Sequence, residues 1–429
     1  MPKFARESDD AYANRLARTT LFNAFAKTIR DMTGRVFLKP LVLENDVPEA
    51  IKAYAENIDL TGRHINVFAR DAFFDALQTG IGYIFVDMPR AVVRPDGLSP
   101  TLRDEQDAGI RPYLVYIPVE RLLGWKSELI GGVHTLTQIR VFEIVSEPDG
   151  LYGEKDVEQV RVVEPGRWEI HRKDQRGEWV VVDSGTSSLS KITLAPIYLN
   201  RTGFMTGEPP LLDLADLNVA HWQSQSDQRN ILTVARVPIL FGAGLGDDET
   251  IEIGASSMVR NSNPDAKLTY VEHTGAAIDA GNQDLKNLEF QMQAMGLQLL
   301  VPNPGQTATG EIRDDVKENS TLGAMARALQ DALEQALGYM AEYMGLGTDA
   351  GGSVVVNTDF GTRGTGDIQY LTQAVIAGKL DDQTYLDELK RRGTLADSVD
   401  ADVVLSRIAD AAPELNGGKP LDLHTGHNH

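Results

Sequence analysis

The sequence predicts an α+β fold, with strands and helices gathered into separate stretches of the chain. Three features predict it. Residues 135–183 are β-rich, with Trp168 and Ile170 alternating against Arg167, Glu169 and His171. The second half carries two apolar stripes at helical spacing, one through Leu285, Leu288, Met292, Met295 and Leu299, the other through Leu322, Met325, Leu329, Leu333, Leu337 and Met340. No βαβ unit is evident. The chain has 429 residues, 42% of them hydrophobic and 24% charged, enough for two to four packed regions around a sizeable core.

Residues 12–32 read as a helix through Leu16, Leu21, Phe25 and Ile29, with Gly34 as its stop. A second helix is expected from Pro48 to Asn57, because proline suits a first turn whose N–H has no partner anyway. A third runs from Ile65 to Gln78 and stops at Gly80. A buried strand follows, Ile81 to Met88, closed by Pro89. Residues 90–111, with Pro95, Gly97 and Pro100, read as a loop. Tyr113–Val119 reads as a strand, and three to five antiparallel strands are expected up to Asp183, the last after a turn at Gly177.

The character changes at Gly207-Glu-Pro-Pro. Pro209 and Pro210 suit a helix start, and a helix from Leu211 to Val234 would be roughly 35 Å long at 1.5 Å per residue. Leu211, Leu214 and Leu217 make its first half apolar on one face, whereas Gln223 to Asn230 is almost wholly polar. Residues 236–280 read as an insert of short strands and turns, followed by a helix over 283–300, a breaker-rich loop at Val301-Pro-Asn-Pro-Gly and a long helix over 315–343. A strand over 353–360 and helices over 368–377, 382–391 and 401–409 complete the pattern. The polar stretch from Glu414 to His429 reads as mobile.

Composition narrows the function. There are no cysteines, so disulfides and thiolate metal sites are excluded. No run of about 18 apolar residues offers a membrane span, and the polar start Met1–Asp10 lacks the apolar stretch of a signal peptide. The formal charge of -21 argues against tight binding of nucleic acid by phosphate neutralisation, though not against DNA sliding past. No P-loop, His-Glu-x-x-His or Gly-x-Ser-x-Gly pattern occurs. Gly242-Ala-Gly-Leu-Gly246 resembles part of a dinucleotide turn, but the Asp247-Asp-Glu that follows would repel a pyrophosphate. His424, His427 and His429 could hold a metal only weakly without surrounding support. His221 and Trp222 read as packing residues rather than a ligand or DNA-stacking site, and the methionines as core filling rather than a promiscuous groove. Adjacent acidic pairs such as Asp247 and Asp248 arise by chance among 62 acidic residues. No catalytic, cofactor or metal residues are assigned.

Three segments together resemble the portal proteins of tailed bacteriophages, in particular a family catalogued as a domain of unknown function. The first is Tyr12 to Phe37, with Arg-Leu-Ala-Arg-Thr-Thr-Leu-Phe-Asn-Ala-Phe. The second is Glu56-Asn-Ile-Asp-Leu-Thr-Gly with Gly80-Ile-Gly-Tyr-Ile-Phe-Val-Asp-Met-Pro. The third and most specific is Pro209 to Leu232, continuing into Val237-Pro-Ile-Leu-Phe, Tyr270-Val-Glu-His-Thr-Gly-Ala-Ala-Ile and Met295-Gly-Leu-Gln-Leu-Leu. The likeness covers most of residues 10–345. It departs at Gly310, where the family pattern has an acidic residue.

The resemblance implies the portal architecture of wing, stem helices, clip and helical crown. Residues 1–207 would be the wing, 208–235 and 281–300 the two stem helices, 236–280 the clip, and 301–314 a tunnel loop. Residues 315–360 would return over the wing, 361–412 would form the crown, and 413–429 a flexible tail. It also implies a homo-oligomeric ring, usually twelvefold, at the portal vertex of a capsid assembled in the host cytoplasm. Through it double-stranded DNA would pass without sequence specificity. The terminase large subunit, a head–tail adaptor, and the major capsid and scaffolding proteins would be the partners, and no membrane or cofactor would be involved. The tunnel-loop candidates are Asn303, Gln306, Thr307, Thr309, Arg313 and Lys317, the last two offering a local grip on DNA. The channel candidates on the first stem helix are Gln223, Gln225, Asp227 and Gln228. Another head–tail connector or minor capsid protein is the alternative within structural proteins, and an acidic hydrolase the alternative outside them.

Overall fold

A computed structural model of the chain describes residues 1–90, 108–236, 239–244, 264–271, 275–300, 321–348, 350–358, 365–391, 395 and 399–411. It divides into two compact units, Met1–Phe360 and Gly361–His429.

The first unit opens with two helices where one was expected. α1 spans Asp9–Arg18 and α2 spans Ala24–Val36. The break has a local cause: the Asn23 side chain accepts the Ala26 N–H at 2.9 Å, capping a fresh helix start. β1 (Val42–Leu43), α3 (Glu49–Tyr54) and α4 (Ile65–Thr79) follow. Pro48 stands at the N-cap of α3, and Gly80, left-handed at φ +80, terminates α4 as its sequence position requires.

Two layers of sheet come next. β2 (Ile81–Asp87) is the central strand of a three-stranded antiparallel sheet, between β3 (Tyr113–Ile117) and a later strand. β4 (Leu122–Ile130), β5 (Val133–Asp149), β6 (Gly153–Glu164), β7 (Arg167–Lys173) and β8 (Trp179–Thr186) form a five-stranded antiparallel meander in chain order. β9 (Leu194–Tyr198) returns to flank β2, and β10 (Arg201–Gly203) pairs with β11 (Thr206–Gly207).

The alternation of β2 explains why it reads as continuously apolar. Ile84 and Val86 join a core made with the helices, whereas Ile81, Tyr83 and Phe85 join a second core with Ile139, Val141 and Val163 of the meander. A strand buried on both faces needs apolar residues at every position. The Tyr83 hydroxyl, within that second core, donates to the Met205 carbonyl at 3.1 Å.

α5 (Leu212–Ala235), β12 (Ile239–Ala243), β13 (Lys267–Val271) and α6 (Ala276–Leu300) follow. α6 begins seven residues before the expected 283, directly after Gly275 at φ +80. α7 (Thr321–Tyr343) supplies the centre of the helical core: Leu322, Met325, Leu329, Leu333, Leu337 and Met340 are all fully or almost fully buried. β14 (Val354–Val355) is shorter than the strand expected over 353–360 and pairs with β1. The second unit contributes α8 (Thr365–Ile376), α9 (Asp382–Arg391) and α10 (Ala401–Ala411).

Candidate functional site

The element that stands out is the antiparallel pair α5–α6, joined at its far end by the β12–β13 ladder, in which Ile239 pairs with Val271 and Ala243 with Lys267. Its root is fixed to the body. The Gly80 carbonyl accepts the N–H groups of Leu199 and Asn200 at 3.0 and 3.2 Å, and the Asn200 carbonyl accepts the Glu208 N–H at 3.0 Å. A Cβ on Gly80 would collide with the Glu208 backbone, so only glycine allows this approach. Pro209 and Pro210 then launch α5, and Leu211 and Leu214 bury into the helical core.

Along α5 the inward positions recur at alternating steps of three and four: Leu211, Leu214, Asn218, His221, Gln225 and Gln228. All are buried except Gln225, which is half-buried. The seam is therefore apolar at the root and polar toward the tip. Asn218 is clasped by the N-terminal segment, accepting the Phe25 N–H and donating to the Phe22 carbonyl, both at 3.0 Å. His221, 1% exposed, sets Nε2 3.4 Å from the Glu289 carboxylate of α6, while the Phe22 ring lies 5.5 Å from its own. Ser224 donates to Asp284 at 2.7 Å. The buried Ser226 hydroxyl accepts from Thr19 at 3.0 Å. Gln228 donates to the Ile278 carbonyl at 2.8 Å and to Asn282 at 3.2 Å, its carboxamide lying over Gly281. Such a seam gives up apolar burial but fixes register, since a slip would strand buried donors and acceptors.

α1 lies beside this seam as an N-terminal arm. Arg15, its only buried residue, is held by Glu7 at 2.7 Å, by the Pro2 carbonyl at 2.9 Å and over the Phe4 ring at 4.4 Å. The Arg15 hydrogen bond leads the effects that hold the Glu7 carboxyl below its usual range. Arg15 also approaches Asp227 to 3.9 Å, and Arg229 donates to the Arg18 carbonyl at 3.1 Å.

Of the four channel candidates, Asp227 is exposed, Gln223 and Gln225 are half-buried, and Gln228 is turned into the seam at 5% exposure. The outward surface of α5 instead carries Leu212, Asp213, Asp216, Val219, Ala220 and Asp227. Asn303, Gln306, Thr307, Thr309, Arg313 and Lys317 lie outside the described residues, as do His424, His427 and His429. Sequence reasoning passed over Asn218, Ser224 and Ser226; the step of Asn218 with Leu211 and Leu214 was the signal for the first, and the two serines carry none.

A cleft of about 660 Å³ opens between the two sheets, lined by Asp87, Tyr113, Arg161, Glu164, Arg167 and Lys191 among others. Its charges are tied up. Arg161 binds Asp87 at 2.7 Å and Glu143 at 2.9 Å, Arg167 pairs with Glu164, and Lys191 holds Glu342 at 2.6 Å. Hydrogen bonds from Gln138 and Arg167 keep the Glu164 carboxyl below its usual range. The carboxyl that burial pushes up, Asp75, lies in a shallower depression where it accepts the Tyr116 hydroxyl at 2.8 Å.

Residues 210–344, which contain the hairpin and α7, match a family model described as a domain of unknown function, DUF4055. No curated protein matches the chain. Among solved structures, the chain is similar to one from the virion of a native gene transfer agent particle, at 11% identity and TM-score 0.44, covering 91% of this chain and 94% of that one. It is also similar to one from the neck of an empty gene transfer agent particle computed with C6 symmetry, at 11% identity and TM-score 0.45, covering 92% and 95%. A third, from the neck of the native particle computed with C12 symmetry, has 11% identity and TM-score 0.45, with coverage of 85% and 88%.

Proposed function

We propose that this chain is a ring-forming structural subunit of a phage-type virion, a portal through which double-stranded DNA is packaged and ejected. One observation carries the reading: the segment with the most specific portal-like sequence, Pro209 to Leu232, forms the first arm of a long helical hairpin with a polar seam and a β-paired tip. A hairpin whose outer surface mixes exposed apolar side chains with charged ones suits an element that packs beside copies of itself around a water-filled channel. In this reading 1–207 is the wing, the β12–β13 tip belongs to the clip that meets the packaging motor or tail adaptor, and 361–412 is the crown. The subunit is structural, and the energy of packaging comes from a separate ATPase. The charge of -21 per chain keeps DNA from adhering by counterion release as it slides through.

Electron microscopy of the purified full-length protein, with native mass measured in parallel, tests this. Closed rings with an open centre are expected, together with weak retention of duplex DNA even at low salt. A chain that stays monomeric under all assembly conditions, or that binds duplex tightly with a steep salt dependence, overturns the reading.

A further inference from the structure

The two flanks of the hairpin are unlike each other. On α6, Phe290 is 72% exposed. At 100° per residue it lies on the opposite side of the helix from Leu285, Leu288 and Met292, which turn inward, and one turn from the exposed cation Lys286. On α5, Val219 is 50% and Leu212 44% exposed. Val219 lies about half a turn from His221 and Gln228, which face α6. One flank therefore presents an aromatic knob beside a positive charge. The other presents an aliphatic shelf among Asp213, Asp216 and Asp227.

The polar crosslinks set the relative height of these features. His221 meets Glu289, Ser224 meets Asp284 and Gln228 meets Asn282. Phe290, one residue past Glu289, therefore stands level with Val219 and Ala220 on the other helix. Lys286, between Asp284 and Glu289, stands level with Gln223 and about one turn, roughly 5 Å, from the height of Asp227. Knob and shelf thus occupy opposite flanks at one height, and cation and anion do so within the reach of a lysine.

We propose that these flanks form a head-to-tail contact between copies of this chain, with Phe290 of one copy seated on Val219 of the next and Lys286 facing its Asp227. The proposal rests on the ring reading above and names the residues of its interface. Opposite flanks make the contact heterologous, so it propagates from copy to copy rather than stopping at a pair. Equal height is one condition for closure: neighbours related by rotation about an axis along the hairpin stay level, whereas a knob and shelf at different heights would climb into a filament. One charge pair agrees with this partner: Lys286, beside the knob, meets Asp227 in a chain that otherwise repels its own copies. A buried aromatic knob on an aliphatic seat is the kind of contact that dominates an interface.

The absence of cysteine makes the test direct. Full-length chains carrying Val219→Cys, Phe290→Cys or both are assembled, treated with a short bifunctional maleimide and run on a denaturing gel, beside native mass of the untreated wild type. Both positions are exposed, and circular dichroism checks that each variant is folded. The double variant is expected to give a ladder of covalent multimers up to the ring number, and each single variant to stay monomeric. Phe290→Ser is expected to lower the ring fraction about tenfold or more. Wild-type rings with no ladder from the double variant overturn this interface and leave the ring reading standing. Covalent dimers from either single variant overturn it in favour of a two-fold contact. A wild type with no rings removes the ring reading, and this interface with it.

Discussion

At the scale of single residues, the chain repeatedly buries a polar group where a backbone must turn. Asp59 is the clearest case, 6% exposed in the turn Asn57-Ile-Asp-Leu-Thr-Gly. Burial alone would raise its carboxyl. The Thr61 hydroxyl at 2.6 Å and N–H at 2.9 Å outweigh that, with the Arg63 guanidinium and N–H, and bring it from 3.8 to about 2. A depressed carboxylate stabilises the fold fully above its unfolded value and loses that contribution as pH falls through the folded one. Resistance of the wild type to urea is therefore expected to fall as pH drops from 3.8 to about 2. Asp59→Asn should be less stable at neutral pH and flatter across that window; an equal acid slope in both proteins would remove Asp59 as its source. The turn itself was legible in the sequence only as part of a family-like segment. Its hydrogen bonds depend on where the backbone places Thr61 and Arg63, which residue type does not encode.

At the scale of elements, periodicity and punctuation located most of the helices and strands. Gly80 ends α4, the apolar run after it is β2, and the stripe from Leu322 to Met340 is the buried face of α7. The misreadings have physical causes. Residues 12–32 keep a helical spacing across Thr19 to Asn23, which hid the new cap at Asn23. β14 survives only where β1 pairs with it, a partner more than 300 residues away that local pattern cannot reveal. The polar stretch Gln223–Asn230 pointed to a solvent-lined face, yet Ser226 and Gln228 lie inside. Polarity says that a group needs a partner and leaves open whether that partner is water, the N-terminal arm or α6. Asn218 measures how much such a partner is worth. Asn218→Ala leaves the Phe25 N–H and Phe22 carbonyl unpaired, at a cost of about 2–3 kcal/mol. Hydrogen exchange should then quicken over residues 19–25 while α7 stays protected. Unchanged exchange there would mean that the arm is held by Arg15, Thr19 and Arg229 alone.

At the scale of the whole molecule, charge opposes association. Every copy carries -21, so the proposed ring would form against a long-range repulsion that salt screens with a Debye length of about 10 Å at 0.1 M. Light scattering is expected to show assembly rising as salt is raised from low to moderate ionic strength. Assembly that falls steadily over that range would mean that ion pairs, rather than apolar seats such as Val219, hold the copies together. The root of the hairpin has a consequence of another kind. Because the Gly80 backbone clasps residues 199–208 just ahead of α5, a tug along the hairpin is delivered to the middle strand of the central sheet. That strand is bonded on both sides by antiparallel neighbours, five residue pairs to each. Among the described residues, the far end offers two short paired strands to resist the same traction. Strain applied between the ends would be spent at the tip, sparing the body beneath it.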